Sequence, residues 1–269
     1  MDALSGKMID FHCHILPGID DGARDLDESV AMAKIAVEDG ISGIVCTPHV
    51  STVFPDNNRA RVLDCVEQLR TRLFEEAIPL EIYPGSELAM DSDLGEKLES
   101  RELLSVNDNH NVALVEMTVD IIPPNIERFF WSVESAGIDI VLAHPERNPY
   151  LMKDPSRLLK WVQMGIMIQI TASALEGKHG SRVSDFVKNL LRRRMVHLVA
   201  SDAHSPQRQR PLLSKARAVA ESVIGKEEAR KIFCDNPRQL LLGNVPYLAS
   251  PIEKIEKTSF LGRIVAFMS

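Results

Sequence analysis

The chain has 269 residues, 45% of them apolar and 26% charged, with a formal net charge of -7 at pH 7. One large core suits this length, so a single domain over residues 1–249 is expected, and the acidic balance disfavours the sequence-independent phosphate attraction on which most nucleic-acid binders rely. No apolar run approaches the roughly 20 residues that span a bilayer and no signal-peptide pattern opens the chain; with Cys13, Cys46, Cys65 and Cys234 free of Cys-x-x-Cys spacing, a cytoplasmic protein with reduced thiols is expected.

From residue 8 onward, short β-branched or apolar runs alternate with longer amphipathic stretches, which predicts a parallel sheet wrapped by helices. Seven strands are read, at 8–14, 43–47, 80–87, 112–116, 139–144, 166–171 and 196–201. Between them, Val30, Ala33 and Val37 repeat at helical spacing before a stop at Gly40, and Val62, Val66, Leu69 and Leu73 do the same. Pro123 and Pro124 are read as opening another helix. A seven-strand βα series without a linker predicts an α/β fold, a closed or nearly closed barrel, over the alternative of a doubly wound open sheet. The tail 250–269 lies outside the series. A helix there would gather Ile252, Ile255, Phe260, Leu261, Ile264, Val265 and Phe267 on one apolar face, for packing on the barrel or on a sister subunit, which leaves a homo-oligomer open. A membrane-surface helix is the alternative, disfavoured because Glu253 and Glu256 offset Lys254, Lys257 and Arg263.

Residues able to bind metal recur at the ends of these strands, which in a βα barrel all point to one mouth. His12 and His14 stand at i and i+2, facing one way while Cys13 faces the other. Then follow Asp20-Asp21-Gly22 in the first loop, Thr47-Pro48-His49, Glu87, Glu116, Ala143-His144-Pro145-Glu146-Arg147 and Ser201-Asp202-Ala203-His204. Singly, a strand-end histidine reads as a hydrogen-bonded core residue, Asp21 as a turn former and Glu116 as a surface carboxylate. Together, five of the eight histidines with four carboxylates at strand exits would place like charges together that need cations. His110, His179 and His197 fall elsewhere and are given no ligand role.

Imidazole and carboxylate donors without thiolate suit manganese, zinc or iron. The ligand number exceeds one tetrahedral ion, so two or three ions are expected, with Glu87 as the bridge, supplying hydroxide at neutral pH for an in-line phosphoryl displacement. Arg147, and Arg208 with Arg210, flank the motifs and match a guanidinium grip on phosphate; the run Arg192-Arg193-Arg194 reads instead as surface salt-bridging.

These motifs, with Ile9-Asp10-Phe11-His12-Cys13-His14, Gly85-Ser86-Glu87 and Asp235-Asn236-Pro237, resemble in order, from about residue 8 to 245, the PHP-fold protein-tyrosine phosphatases of bacterial capsule and exopolysaccharide loci, the CpsB/YwqE type. The resemblance implies a distorted (β/α)7 TIM-like barrel and a trinuclear site usually supplied with manganese. It also implies a partner protein, a tyrosine kinase of polysaccharide assembly, whose phosphotyrosines are hydrolysed. Carried over by position, His12, His14, Asp21, His49, Glu87, Glu116, His144, Asp202 and His204 match the metal ligands, and Arg147 matches one phosphate-binding arginine. The family's second arginine would fall at position 209, which is Gln here; the role passes to Arg210, before Pro211, with Arg208 as the alternative.

The ligand motifs alone also fit a PHP small-molecule phosphatase acting on histidinol phosphate, or a phosphodiesterase. The modest loop at 50–57 favours an open mouth suited to a peptide. Cysteine-based phosphatase chemistry needs Cys-x5-Arg, which no cysteine here has. An amidohydrolase of this kind commonly carries a bridging lysine where Glu116 stands. A catalytically silent docking module tends to lose ligands, and every expected one is present.

Overall fold

The structure, a computed structural model, describes residues 6–253. Its strands are β1 (Met8–Cys13), β2 (Ile41–Cys46), β3 (His49–Val50), β4 (Glu81–Pro84), β5 (Glu87–Ala89), β6 (Val112–Glu116), β7 (Asp139–Ala143), β8 (Met167–Thr171) and β9 (Leu198–Ala200). Every ladder is parallel: β1, β2 and β4 form one sheet, and β3, β5, β6, β7, β8 and β9 another. Beyond β9 the chain meets β1, where His14 N–H donates to Ala203 O at 2.8 Å and Asp202 N–H donates to His12 O at 2.8 Å. The α/β, distorted (β/α)7 arrangement is thus as expected, except that a further short strand, β3, follows the second predicted strand and the third is broken into β4 and β5.

The breaks have local causes. Pro48 has no N–H for a ladder, so β2 ends before it and pairing resumes at His49. Gly85 interrupts the third run where the backbone passes Val45 so closely that a Cβ would lie 2.8 Å from Val45 Cγ1. Single bonds span the gaps, Thr47 N–H to Cys13 O and Glu87 N–H to Pro48 O, both at 3.0 Å.

Parallel strands covered on both faces read as continuous apolar runs whose alternate residues serve two cores. Val112, Leu114, Val141, Ala143, Met167, Leu198 and Ala200 fill the barrel interior together with Ile9, Phe11 and Val45. Their neighbours Ala113, Val115, Ile140, Leu142, Ile168, Ile170 and Val199 face the helices. In β1 this alternation changes phase. Ile9 and Phe11 point inward, yet Cys13 belongs to the outer core, because the register with β2 slips between Asp10 and Cys13. A bulge of this kind re-aims the side chains beyond it, and here it turns His12 and His14 toward the mouth.

The helix Leu26–Glu38 starts on Asp25, whose carboxylate accepts from Glu28 N–H, and Arg59–Glu75 starts on Asn58, which accepts from Arg61 N–H. Val62, Val66, Leu69 and Leu73 are the buried stripe of the second, as their spacing predicts. The helix expected to open at Pro123-Pro124 begins instead at Ile126, because Asn125 takes a left-handed conformation with φ of 57° and the prolines belong to the preceding loop. Arg193 holds Ile252 through Ile252 N–H to Arg193 O at 2.8 Å and Arg193 Nε to Ile252 O at 2.9 Å. Beyond Glu253 the predicted amphipathic tail lies outside the described residues.

Candidate metal centre

The strand ends converge as polar, buried side chains. His12 and His14, both fully buried, bring their Nε2 atoms to 3.1 Å from each other. Each is oriented by its other nitrogen: Gln169 Oε1 lies 3.0 Å from His12 Nδ1, and Asp20 Oδ2 lies 2.7 Å from His14 Nδ1. An imidazole held through one nitrogen presents the other as a metal donor. Around them Glu87 Oε2 approaches His12 Nε2 at 3.2 Å, His14 Nε2 at 3.3 Å and His49 Nδ1 at 3.0 Å. Its other oxygen meets His144 Nε2 at 2.8 Å. Asp202 Oδ1 lies 3.4 Å from both His12 Nε2 and His14 Nε2.

Three donor sets result: His14, Asp21, His49 and His204; His12, His14 and Glu87; and His49, Glu87 and Glu116. Glu87 belongs to two of them. His144 and Asp202 stand against the sets through the contacts above, so the nine predicted ligand residues are all gathered at one place. The donor spacings also fit, because atoms bound to one ion at about 2.0–2.2 Å lie about 3–3.5 Å apart. Glu87 Oε2 and Asp202 Oδ1 are buried and accept no hydrogen bond among the described residues. A carboxylate oxygen that faces several imidazole nitrogens without a hydrogen bond to any of them fits a cation.

The electrostatics agree. Burial works to raise the Asp202 carboxyl, but His12, His14, Arg147 and His144 outweigh it and hold the group well below the usual carboxylate range. Burial likewise opposes ionisation of Glu87, and His12, His14 and His144 overcome it. Glu116, in contrast, is raised by burial and by the neighbouring Glu87, the like-charge conflict that a shared cation relieves.

Two of these residues occupy a backbone region that non-glycine residues seldom adopt: His144 has φ of 28° and Asp202 φ of 53°. Strand alternation alone would turn His144 outward with Leu142; the left-handed turn brings its ring back over the mouth. Gly22 supports the first loop in a different way. A Cβ there would lie 2.1 Å from His14 O, so only glycine lets the Asp20-Asp21 turn fold against His14.

Arg147 reaches the cluster and donates from Nη2 to Asp202 Oδ2. The buried Glu146 anchors its turn by accepting from Thr171 N–H at 2.7 Å and Thr171 Oγ1 at 2.9 Å. Arg208 and Arg210 are exposed and neither side chain meets the cluster among the described residues. Gln209 between them is exposed too, but its Nε2 donates to Asp202 O at 3.0 Å. His197 instead accepts from Ile168 N–H at 2.9 Å, and His179 pairs with Ser173.

The orienting residues Asp20 and Gln169 were not singled out from the sequence. Gln169 leaves a signal as the polar side chain at the centre of the buried run Met167–Thr171. Asp20 and Asp21 are adjacent carboxylates that sequence cannot rank: Asp20 lies inside, bonded to His14 and to His49 N–H at 3.0 Å, while Asp21 is 59% exposed and 3.6 Å from both His49 Nε2 and His204 Nε2.

A family model described as capsular polysaccharide synthesis, CpsB/CapC, matches residues 8–242. Tyrosine-protein phosphatase YwqE of Bacillus subtilis (strain 168) is 36% identical over 255 residues, 95% of this chain and 99% of that protein. One solved structure, reported as that of YwqE from Bacillus subtilis and CpsB from Streptococcus pneumoniae, unique metal-dependent tyrosine phosphatases, superposes with a TM-score of 0.87 at 36% identity. It covers 93% of this chain and 100% of its own. A histidinol phosphate phosphatase from Lactococcus lactis shares the fold alone, at TM-score 0.54 and 14% identity, over 81% of this chain and 94% of its own.

Proposed function

Because the chain belongs to the CpsB/CapC family of capsular polysaccharide synthesis, we propose that it is a metal-dependent protein-tyrosine phosphatase, a phosphoric monoester hydrolase acting on phosphotyrosine. The observation that carries this reading is the overlap of three donor sets, two of them sharing Glu87 and linked to the third through His14 and His49, with Arg147 at their edge. His12, His14, Asp21, His49, Glu87, Glu116, His144, Asp202 and His204 would hold two or three ions, manganese by preference, with zinc or iron sharing the same donor chemistry. When bound, such ions lower the pKa of a shared water and neutralise the oxygens of an in-line phosphoryl displacement.

The chain's own residues do the rest. Asp20 and Gln169 keep the donor nitrogens of His14 and His12 aimed at the mouth. Arg147 offers the remainder of its guanidinium fork to phosphate oxygens while Asp202 holds one arm of it. Arg210, on the exposed rim, is the candidate for a second grip. Residues 1–249 form the phosphatase domain in this reading, with 250–269 as an appended tail.

The phosphotyrosine belongs, in this proposal, to a bacterial tyrosine kinase of polysaccharide assembly, which the family description favours. Four free thiols accord with a cytoplasmic setting, and among the described residues no helix is long and apolar enough to cross a membrane. The test compares turnover of a tyrosine-phosphorylated peptide, histidinol phosphate and a dinucleotide, before and after metal stripping. Peptide turnover that is lost on chelation and restored by manganese better than by magnesium is expected; full activity in chelator, or preference for either small substrate, would overturn the reading.

A further inference from the structure

Exposed apolar side chains are ordinary when scattered and informative when they crowd one place. Val119, Ile121 and Tyr150 are 40%, 54% and 49% exposed, and they stand on two neighbouring segments of the mouth. The first is the loop that follows β6 and the second is the short helix Pro149–Lys153 that follows β7. Between the segments lies a groove of about 420 Å³ lined by Ile121, Ile122, Tyr150, Lys153, Asp154 and Arg157.

The groove is built rather than incidental. Asn148, 2% exposed, ties its walls together: Nδ2 donates to Thr118 O at 3.2 Å and Ile121 O at 3.0 Å, while Oδ1 accepts from Tyr150 N–H at 2.9 Å. Asn148 follows Arg147 directly, and Ile121 lies five residues beyond Glu116, so the groove flanks the metal centre. Lys153 Nζ stands 5.6 Å from the centre of the Tyr150 ring and has no carboxylate partner among the described residues, whereas Arg157 faces Asp154 at 3.6 Å.

We propose that this groove docks the polypeptide on one side of the substrate's phosphotyrosine, taking an apolar side chain against Ile121 and Tyr150 and a carboxylate at Lys153. The inference rests on the tyrosine-phosphatase reading. A small phosphoester carries no flanking side chains for such a groove to read. In this proposal a polypeptide whose phosphotyrosine enters the mouth crosses the rim beside Arg147 and Asn148, and its side chains about two to four positions away, at about 3.3 Å per residue, are the ones assigned to the groove. The groove therefore selects among phosphotyrosines by their flanks.

The test uses the manganese-loaded full chain and two phosphotyrosine peptides, one with Leu and Asp at those flanking positions and one with Ser at both, alongside para-nitrophenyl phosphate. The Leu/Asp peptide is expected to have a kcat/KM about 10-fold higher, as burial of one aliphatic side chain allows. Tyr150→Ala and Lys153→Glu should each shrink that ratio, and in Lys153→Glu a peptide with Lys in place of Asp should recover it. A wild-type ratio within about 2-fold, or one that survives both substitutions, overturns the groove and leaves the patch to a partner other than substrate. Turnover of para-nitrophenyl phosphate with neither peptide cleaved would sink the phosphotyrosine reading itself, so the two failures are distinguishable.

Discussion

Asp20→Asn isolates what orientation contributes to the metal centre. The carboxylate serves three donors: Oδ2 accepts from His14 Nδ1 at 2.7 Å and from His49 N–H at 3.0 Å, and Oδ1 accepts from Gly22 N–H at 2.9 Å. An amide has one oxygen, so either Gly22 N–H or the His14 and His49 pair must face its NH2 group. One such unmet buried donor costs about 1–3 kcal/mol, a fall in Tm of about 2–4 °C per kcal/mol for a chain of this size. Loss of the group that orients a ligand histidine lowers metal affinity by about 10–100-fold, about 1.4–2.7 kcal/mol. The assay is competition between the protein and a fluorescent chelator for manganese, paired with thermal unfolding of the metal-free and metal-loaded forms. We expect the metal Kd to rise by one to two decades and the metal-free Tm to fall. A folded Asp20→Asn protein whose Kd stays within about 3-fold of wild type would refute the assignment of Asp20 as the group that aims His14.

Arg147→Ala should lower kcat/KM for para-nitrophenyl phosphate by about 10²-fold, as for other preorganised charge stabilisers, with bound metal measured in parallel; unchanged kinetics would return Arg147 to a structural role. His197 is buried and accepts from Ile168 N–H, and burial lowers its pKa from 6.5 to about 4. Above 6.5 it is neutral in both folded and unfolded chains; as pH falls toward 4, only the unfolded chain takes up the proton, so stability declines. Between about pH 7 and about pH 5 this group should remove about 2 kcal/mol that a His197→Asn variant does not lose, read by urea denaturation; equal pH dependence in both would contradict it. Trp161 is fully buried and meets Phe130 edge-on at 5.4 Å. Trp161→Ala should cost about 3–5 kcal/mol, and a urea midpoint near that of wild type would show that the site collapses around the deletion.

Much of this molecule was legible in the sequence because its periodicities are strong. The runs at 112–116, 139–144 and 166–171 are bounded by turn residues and became β6, β7 and β8 within a residue or so. The polar strand ends stood out for the same reason, since His14, Glu87, Glu116 and His144 close the runs read at 8–14, 80–87, 112–116 and 139–144. What sequence could not convey was the change of phase in β1, a three-dimensional register effect that spacing does not encode. The left-handed backbone at His144 and Asp202 was hidden too, because neither residue type announces it. Nor could charge patterning tell that Gln209 bonds the Asp202 carbonyl while the side chains of the arginines on either side do not meet the cluster among the described residues.

The division of the strands into two sheets falls at the height of the mouth, where β2 gives way to β3 and β4 to β5. His12 and His14 issue from the first sheet, whereas His49, Glu87 and Glu116 belong to the second. At that level the two sheets meet through imidazole and carboxylate atoms and, on the other side of β1, through the backbone bonds from His14 N–H to Ala203 O and from Asp202 N–H to His12 O. A cation seated there acts as a rivet as well as a reagent. Metal loading is therefore expected to brace the frame along that line as well as to arm the site.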